Sequence, residues 1–166
     1  MSQIYDGLRE AGLTIAYNLI VKARALLRQA VRPTEMGVRA LVRDGSAILL
    51  VRHRGGRTPW GLPGGGIGRY EPLDVAAVRE VVEEAGCQAQ VDHSLGLYHH
   101  FAGGMSNYIV VFICTAQSRL QPPVGDLEIV DAQFFSPHAL PPATEPGSIR
   151  RIAEYLQGER GIYRRW

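Results

Sequence analysis

The residues with the clearest chemical potential are three glutamates, Glu80, Glu83 and Glu84, spaced i, i+3, i+4. On a helix this spacing brings the three side chains together on one face. Like charges so placed destabilise a helix by about 0.2–0.5 kcal/mol per pair, and Arg79 can relieve Glu83 without neutralising the set. A divalent cation would offset the repulsion, because Mg²⁺ prefers carboxylate oxygens and keeps waters that a phosphate can replace. The spacing indicates either a metal site or a solvated acidic face.

The segment in front of this helix narrows the choice. Trp60-Gly61-Leu62-Pro63 leads into glycines at positions 64, 65, 66 and 68. Glycine-rich backbone can approach an anion or a metal closely. Because the loop runs directly onto the acidic helix, the two together indicate a metal that bridges protein carboxylates and substrate phosphates. The loop lacks the Lys-Ser/Thr pair of a P-loop, so nucleotide binding of that type is not supported.

This pattern resembles the signature of a known family. Gly65, Glu71 and then the run from Arg79 to Cys87 resemble the Nudix box, with Val81 and Cys87 at its two apolar positions. Further likeness lies in the lead-in before the box and in the later segments Glu128-Ile129, Phe134-Phe135 and Leu140-Pro141. The resemblance covers roughly Gly37 to Leu156. It implies hydrolysis of a pyrophosphate linkage in a nucleoside diphosphate derivative, with water attacking phosphorus.

The resemblance also implies roles for individual residues. Glu80, Glu83 and Glu84 would bind the metal, Mg²⁺ or Mn²⁺, with the backbone carbonyl of Gly64 as a further ligand. Gly65, Glu71 and Arg79 would have a structural role, because an ion pair between Glu71 and Arg79 would brace the loop against the helix. The three glutamates and Glu128 are the expected catalytic residues. Candidates for the general base are Glu80, then Glu128, then Asp126.

The chain differs from many family members at two loop positions, and each of its candidate substrate-binding segments has two interpretations. Many members have Glu where Gly68 stands and Gly where Tyr70 stands, which bears on the number of metals and on the rate. Arg52 and Arg54 follow a strand near the site and either clamp phosphates or are exposed, solubilising arginines. The run Tyr98 to Phe101 either stacks on a base or forms a turn with one buried aromatic ring.

The elements that must position these residues follow from periodicity. Residues 4 to 30 read as one basic amphipathic helix that packs on its own domain or a partner, or lies on a membrane surface. On the central helix, Val75, Val78, Val82 and Ala85 predict a core-facing stripe, with the glutamates on another face. The remaining predicted elements are strands at Gly37 to Arg43, Ala47 to Val51, Gln88 to Asp92, Leu95 to His100, Asn107 to Ala116 and Ala132 to Phe135, and helices at Pro72 to Ala85 and Ser148 to Leu156.

These elements and the resemblance predict an α/β/α sandwich around a mixed sheet, with an additional N-terminal helix. We expect two parts, an N-terminal amphipathic extension over residues 1–34 and the hydrolase domain over residues 35–166. Glu128 falls in a loop after the long apolar strand, where an acid is often only solvated. The expected arrangement therefore brings a loop, a helix and a late segment together.

Bulk composition limits the partners. The chain has 166 residues, net charge +2 and two cysteines. That charge is too mild to argue for nucleic acid, and the longest apolar stretch is too short to span a bilayer. Cys87 and Cys114 lie in apolar stretches, which predicts reduced, buried thiols in a cytoplasmic protein. We expect a small nucleotide-like substrate, and the N-terminal helix makes a homodimer plausible.

Two other functions stay open at this stage. One is a regulatory or nucleotide-binding module that keeps the fold without turnover, which the residues at 68 and 70 favour mildly. The other is a hydrolase directed to RNA or a membrane by the basic ends of the chain, which predicts binding that weakens as salt rises.

Overall fold

The computed structural model describes residues 11–23, 26, 34–102 and 105–166. Helix α1 covers residues 11–23, so the rest of the helix predicted over residues 4 to 30, apart from helical residue 26, lies outside the described residues. The elements that follow are β1 (Thr34–Asp44), β2 (Ala47–His53), β3 (Trp60–Gly61), α2 (Leu73–Ala85), β4 (Ala89–Ala102), β5 (Met105–Ala116), β6 (Ile129–Phe135), α3 (Pro146–Leu156) and β7 (Ile162–Arg165).

The strands of the described residues form one mixed sheet. Its order is β3-β2-β1-β5-β4-β7, and β6 pairs with β2 outside this path. Strands β1 and β5 are parallel, as are β4 and β7, and the other pairs are antiparallel. Apolar residues of α2 pack in the core on one side of the sheet, and Ile152 of α3 packs in the core on the other. The expected sandwich around a mixed sheet, with a helix before it, is confirmed.

The sheet opens where β1 and β2 separate. The two strands pair only next to their turn, at Arg43–Ile48 and Asp44–Ala47, and β2 continues against β3 and β6. The first half of β1 bonds instead to the glycine-rich loop: the Val38 and Ala40 amides donate to the Gly65 and Pro63 carbonyls, each at 2.9 Å. Strand amides that lack a partner strand need other acceptors. Here the loop carbonyls accept them, and these hydrogen bonds hold the loop in place.

The predicted strands are correct in position, but the prediction divides one strand into two and omits two short strands. The two strands predicted at Gln88 to Asp92 and Leu95 to His100 form the single strand β4, whose register against β5 shifts around His93 and again before Gly96. These irregularities explain the apparent break in the pattern. Gly96 is required there, because a Cβ would lie 2.5 Å from the Ile162 carbonyl oxygen of β7. The short strands β3 and β7 were not predicted.

The predicted core stripe of α2 is wrong at its three valines and correct at Ala85. Val75 is 52% exposed, and Val78 and Val82 are half-buried. The helix instead turns its small residues to the sheet, where Ala76, Ala77, Val81 and Ala85 are buried. Small side chains allow the helix to lie close to the strands. As a result Glu80 and Glu84 lie on the buried side of the helix, and only Glu83 of the three glutamates is exposed.

Candidate active site

Gly64 joins the loop to both the sheet and the helix. Its φ is +145°, and a Cβ at this position would lie 2.2 Å from the Val38 carbonyl oxygen, so no other residue fits without displacing β1. The Gly64 amide donates to Glu84 Oε2 at 2.9 Å. At the next residue, Gly65, a Cβ would lie 2.6 Å from Glu80 Oε1. The glycines therefore let the loop backbone contact two of the three glutamates.

Arg79 holds the far end of the loop against the helix. Its guanidinium donates to Glu71 Oε1 at 2.8 Å and Oε2 at 3.0 Å, and to the Gly66 carbonyl at 2.9 Å. The Arg79 hydrogen bond, together with one from the Gly68 amide, holds the pKa of Glu71 below its usual value. This is the pairing that the resemblance implies, and it fixes the loop from residue 66 to residue 71.

Burial changes the electrostatics of Glu84 and Glu80. Burial raises the pKa of Glu84 to about 7, although His53, Arg39 and the Gly64 amide act to lower it. Burial also raises the pKa of Glu80, against the lowering effect of Arg79. A carboxylate that has lost water and gained too few donors favours either a proton or a cation.

The chemistry of the donor set fits a hard divalent cation, because carboxylate oxygens at the mouth of a water-accessible cavity are the ligands that such ions take. Their present orientation does not form a closed ligand set. Among the residues that the structure describes, no three acidic, histidine or cysteine side chains are grouped as a metal site. Arg79 Nη1 lies 2.8 Å from Glu80 Oε1 and 3.1 Å from Glu83 Oε2. To ligate one ion, Glu80 and Glu83 have to turn away from this guanidinium.

A cavity of about 530 Å³ adjoins the glutamates. It opens between the loop and the first half of β1, and its size is in the range of small-molecule sites. The residues with charged or polar side chains that line it are Glu35, Arg39, His53, Glu80, Glu83, Glu84, Asn107 and Glu128. A second cavity of about 310 Å³ beside the same glutamates is walled by Tyr17, Ile20 and Val21 of α1. The N-terminal helix is thus part of the site.

The candidate bases on the late loop differ in position. Glu128 lines both cavities, and its carboxylate lies 3.7 Å from His53 Nδ1. Asp126 lines only the second cavity, and its Oδ1 accepts the amides of Glu128 and Ile129, each at 2.7 Å. Asp126 therefore orders the loop that presents Glu128.

The arginines expected to clamp phosphates line neither of the two cavities beside the glutamates. Arg54 is buried and donates to the carbonyls of Leu127 and Asp126 at 3.1 and 3.0 Å, so it also orders the late loop. Arg52 lies over the Trp60 ring at 5.8 Å. Both line a separate cavity of about 220 Å³ that reaches Thr14 of α1.

Residues Tyr98 to Phe101 lie in β4 and not in a turn, but the prediction of one buried aromatic ring is confirmed at Tyr98. Tyr98 is fully buried, its hydroxyl donates to Glu154 at 2.8 Å on the α3 side of the sheet, and it lines none of the cavities beside the glutamates. Neighbouring His99 packs against Phe101 and Tyr163.

Four polar residues of the cavity were missed from the sequence, Glu35, Arg39, His53 and Asn107. Two of them, Arg39 and His53, have basic side chains. Arg39 lies in a strand whose apolar residues alternate with other residues, and in this pattern it is indistinguishable from an ordinary outward-facing arginine. Its place at the site depends on the loop replacing β2 beside β1, which is a tertiary feature. His53 has a signal in the sequence, since it lies between the two arginines that were considered.

Comparisons with known proteins agree with this arrangement. A model of the NUDIX domain matches residues 33–156. A protein of Bacillus subtilis (strain 168) named "Putative 8-oxo-dGTP diphosphatase" is 26% identical over 123 residues, covering 74% of this chain and 79% of that protein.

Two solved structures are similar at comparable identity. A NUDIX hydrolase from Nitrosomonas europaea has a TM-score of 0.67 and 26% identity, covering 78% of this chain and 93% of its own. The structure of a UDP-X diphosphatase has a TM-score of 0.65 and 27% identity, covering 80% of this chain and 67% of its own.

Fold and site together place the protein in the class of hydrolases that cleave pyrophosphate bonds. The chain belongs to the NUDIX family, because the family model spans most of its length, including the loop and helix described above. Within the described ranges, no helix has the length and apolar character that crossing a bilayer requires.

Proposed function

We propose that this protein is a divalent-metal-dependent pyrophosphohydrolase that acts on a nucleoside diphosphate derivative. The observation that carries the proposal is the position of Glu80, Glu83 and Glu84 at one cavity, directly beside a glycine-rich loop that bonds to Glu84. The relatives named for diphosphatase activity support a phosphoanhydride as the bond that is cleaved. Glu80, Glu83, Glu84 and the Gly64 carbonyl would bind Mg²⁺ or Mn²⁺.

The residues of the chain have distinct roles in this mechanism. Arg79 and Glu71 keep the loop on the helix, and the Gly64 amide orients Glu84. Glu80 accepts the proton of the attacking water, with Glu128 as the second candidate base, while the water oxygen bonds to phosphorus and the bridging P–O bond breaks. A bound divalent ion would neutralise phosphate charge and lower the pKa of the water.

The proposed organisation includes the N-terminal extension, residues 1–34, before the hydrolase domain at 35–166. The start of the family match at residue 33 supports this division. Two buried free cysteines support a reducing, cytoplasmic setting. A homodimer, and the lack of nucleic-acid and membrane partners, stay predictions that sedimentation and salt-dependent binding assays can test.

A second candidate function is a ligand-binding module without turnover. The observation that favours it is Arg79, whose guanidinium engages both Glu80 and Glu83 and so competes with a metal for two of the three carboxylates. In this case the protein would bind a nucleotide derivative in the same cavity but would not hydrolyse it.

A hydrolysis screen distinguishes the two functions. Nucleoside triphosphates, ADP-ribose, sugar nucleotides, dinucleoside polyphosphates and coenzyme A are incubated with the protein and Mg²⁺ or Mn²⁺, with an EDTA arm. We expect turnover that EDTA abolishes and that Glu84→Gln lowers by roughly a hundredfold or more, because a metal ligand and loop acceptor is lost. Asp74→Asn is the matched control, since Asp74 is exposed on the same helix and lines neither cavity. Tight binding without turnover in any arm would establish the second function.

A further inference from the structure

One cationic group at the cavity has an unmet hydrogen-bonding capacity. Arg39 lines the cavity together with the three glutamates and is half-buried. Its Nη1 is buried and has no hydrogen-bond partner within the described part of the chain. A buried donor without an acceptor is unfavourable, the more so when it is charged, and is uncommon in a folded protein. The described neighbours of Arg39 therefore do not account for the buried position of this donor.

The neighbouring arginines are committed to the protein itself. Arg79 is engaged by Glu71, Glu80, Glu83 and the Gly66 carbonyl. Arg54 donates to two carbonyls of the late loop, and Arg52 lies over Trp60. Arg39 differs because its charge reaches the cavity.

Arg39 shares its cavity with the expected metal ligands. It lies on β1 against the glycine-rich loop, where its Cα is 2.8 Å from the position of a Cβ on Gly64. Its positive charge lowers the pKa of both Glu80 and Glu84. Those carboxylates take their hydrogen bonds from Arg79 and from the Gly64 amide instead.

We propose that Arg39 is a phosphate-binding residue, whose guanidinium donates to the oxygens of a substrate diphosphate in the cavity that the glutamates line. The proposal rests on the function proposed above and identifies the diphosphate, not the base or the leaving group, as the part that Arg39 recognises. A guanidinium presents a planar pair of donors that matches phosphate oxygens. An anion between Arg39 and a cation on the glutamates satisfies Nη1 and balances the charge of the cavity.

The test measures binding without turnover. The probe is methylenediphosphonate with Mg²⁺, a diphosphate whose carbon bridge resists hydrolysis and which carries no base, and its affinity is measured by calorimetry. We expect Arg39→Gln to bind it roughly ten- to a hundredfold more weakly, from the loss of charge-assisted hydrogen bonds. Arg39→Lys keeps the charge without the paired donors and should lie between the two. Thermal melts verify that each variant is folded.

Arg43→Gln is the matched control. Arg43 lies on the same strand, is paired with Asp92 at 3.1 Å and does not line the cavity, so its substitution should leave the affinity unchanged. Equal affinity of wild type and folded Arg39→Gln, or no measurable binding by wild type, would overturn the inference. Failure of the proposed function would give a different result, because wild type would bind the probe through Arg39 but would hydrolyse no compound in the screen. Normal turnover with Arg39-independent binding would overturn only the role of Arg39.

Discussion

At the scale of single residues, the site depends on contacts that leave no space for a side chain. Gly64 shows this most directly, since its φ of +145° and its approach to Val38 both exclude a Cβ. The sequence motif identified Gly64 as a site residue. The structural reason that this residue must be glycine is its close approach to β1, which the sequence does not show. Arg39 shows the limit of sequence reasoning at this scale. Nothing in its local pattern separates it from Arg43, and only the pairing of loop and strand places it at the cavity.

Substitution of Gly64 by alanine should therefore damage both stability and activity. We expect Gly64→Ala to lower the free energy of unfolding by about 2 kcal/mol or more, because the methyl group overpacks against β1 at a backbone angle that L-residues rarely adopt. Urea unfolding measures the change. Gly66→Ala is the control in the same loop, because a Cβ there meets nothing within 4 Å. Equal losses in the two variants would contradict this account.

At the scale of elements, short-range patterns located most of the helices and strands but not their faces. The central helix was placed correctly, yet its valine row suggested the wrong core face, because hydrophobicity alone does not weigh how closely alanines let a helix approach a sheet. Likewise β7 has only four residues, three of them exposed, and is formed by pairing with β4. Such elements depend on long-range contacts that periodicity does not contain.

Helix α1 gives a prediction at this scale, because it walls the cavity beside the glutamates. Ile20 lines that cavity, whereas its neighbour Leu19 does not and is 63% exposed. We expect Ile20→Ala to raise KM for the substrate identified in the screen by roughly three- to tenfold with little change in kcat, from lost apolar contact. Leu19→Ala should leave both constants unchanged. Identical kinetics of the two variants would mean that α1 does not contact the substrate.

At the scale of the whole molecule, a buried ionic cluster joins elements distant in sequence on the side of the sheet opposite α2. Arg151 of α3 donates to Glu154 twice, each at 2.7 Å, and its guanidinium lies 3.9 Å from the Tyr98 ring centroid of β4. Tyr98 donates to the same carboxylate, and Arg164 of β7 reaches it at 3.2 Å. The cluster thus connects α3 with both strands of one sheet edge, which makes Glu154 the acceptor on which their packing depends.

The stability of the whole fold should consequently depend on the ionisation of Glu154. Burial acts to raise its pKa, but the hydrogen bonds from Arg151 and Tyr98 outweigh burial and hold the pKa below its ordinary value. A carboxylate with a lowered folded-state pKa contributes stability above the unfolded value of about 4.3, and this is lost as the pH falls through the folded-state pKa. At pH 7, Glu154→Gln should cost about 3–5 kcal/mol, because it leaves the buried Arg151 uncompensated. Urea unfolding at pH 7 and at pH 3 should show that the gap between wild type and this variant narrows as the pH falls. Glu159→Gln is the control, because it removes only the partially exposed partner of Arg164, and it should cost under about 1 kcal/mol. If the difference in unfolding free energy between wild type and Glu154→Gln stayed constant with pH, the ionic role of the cluster would be contradicted.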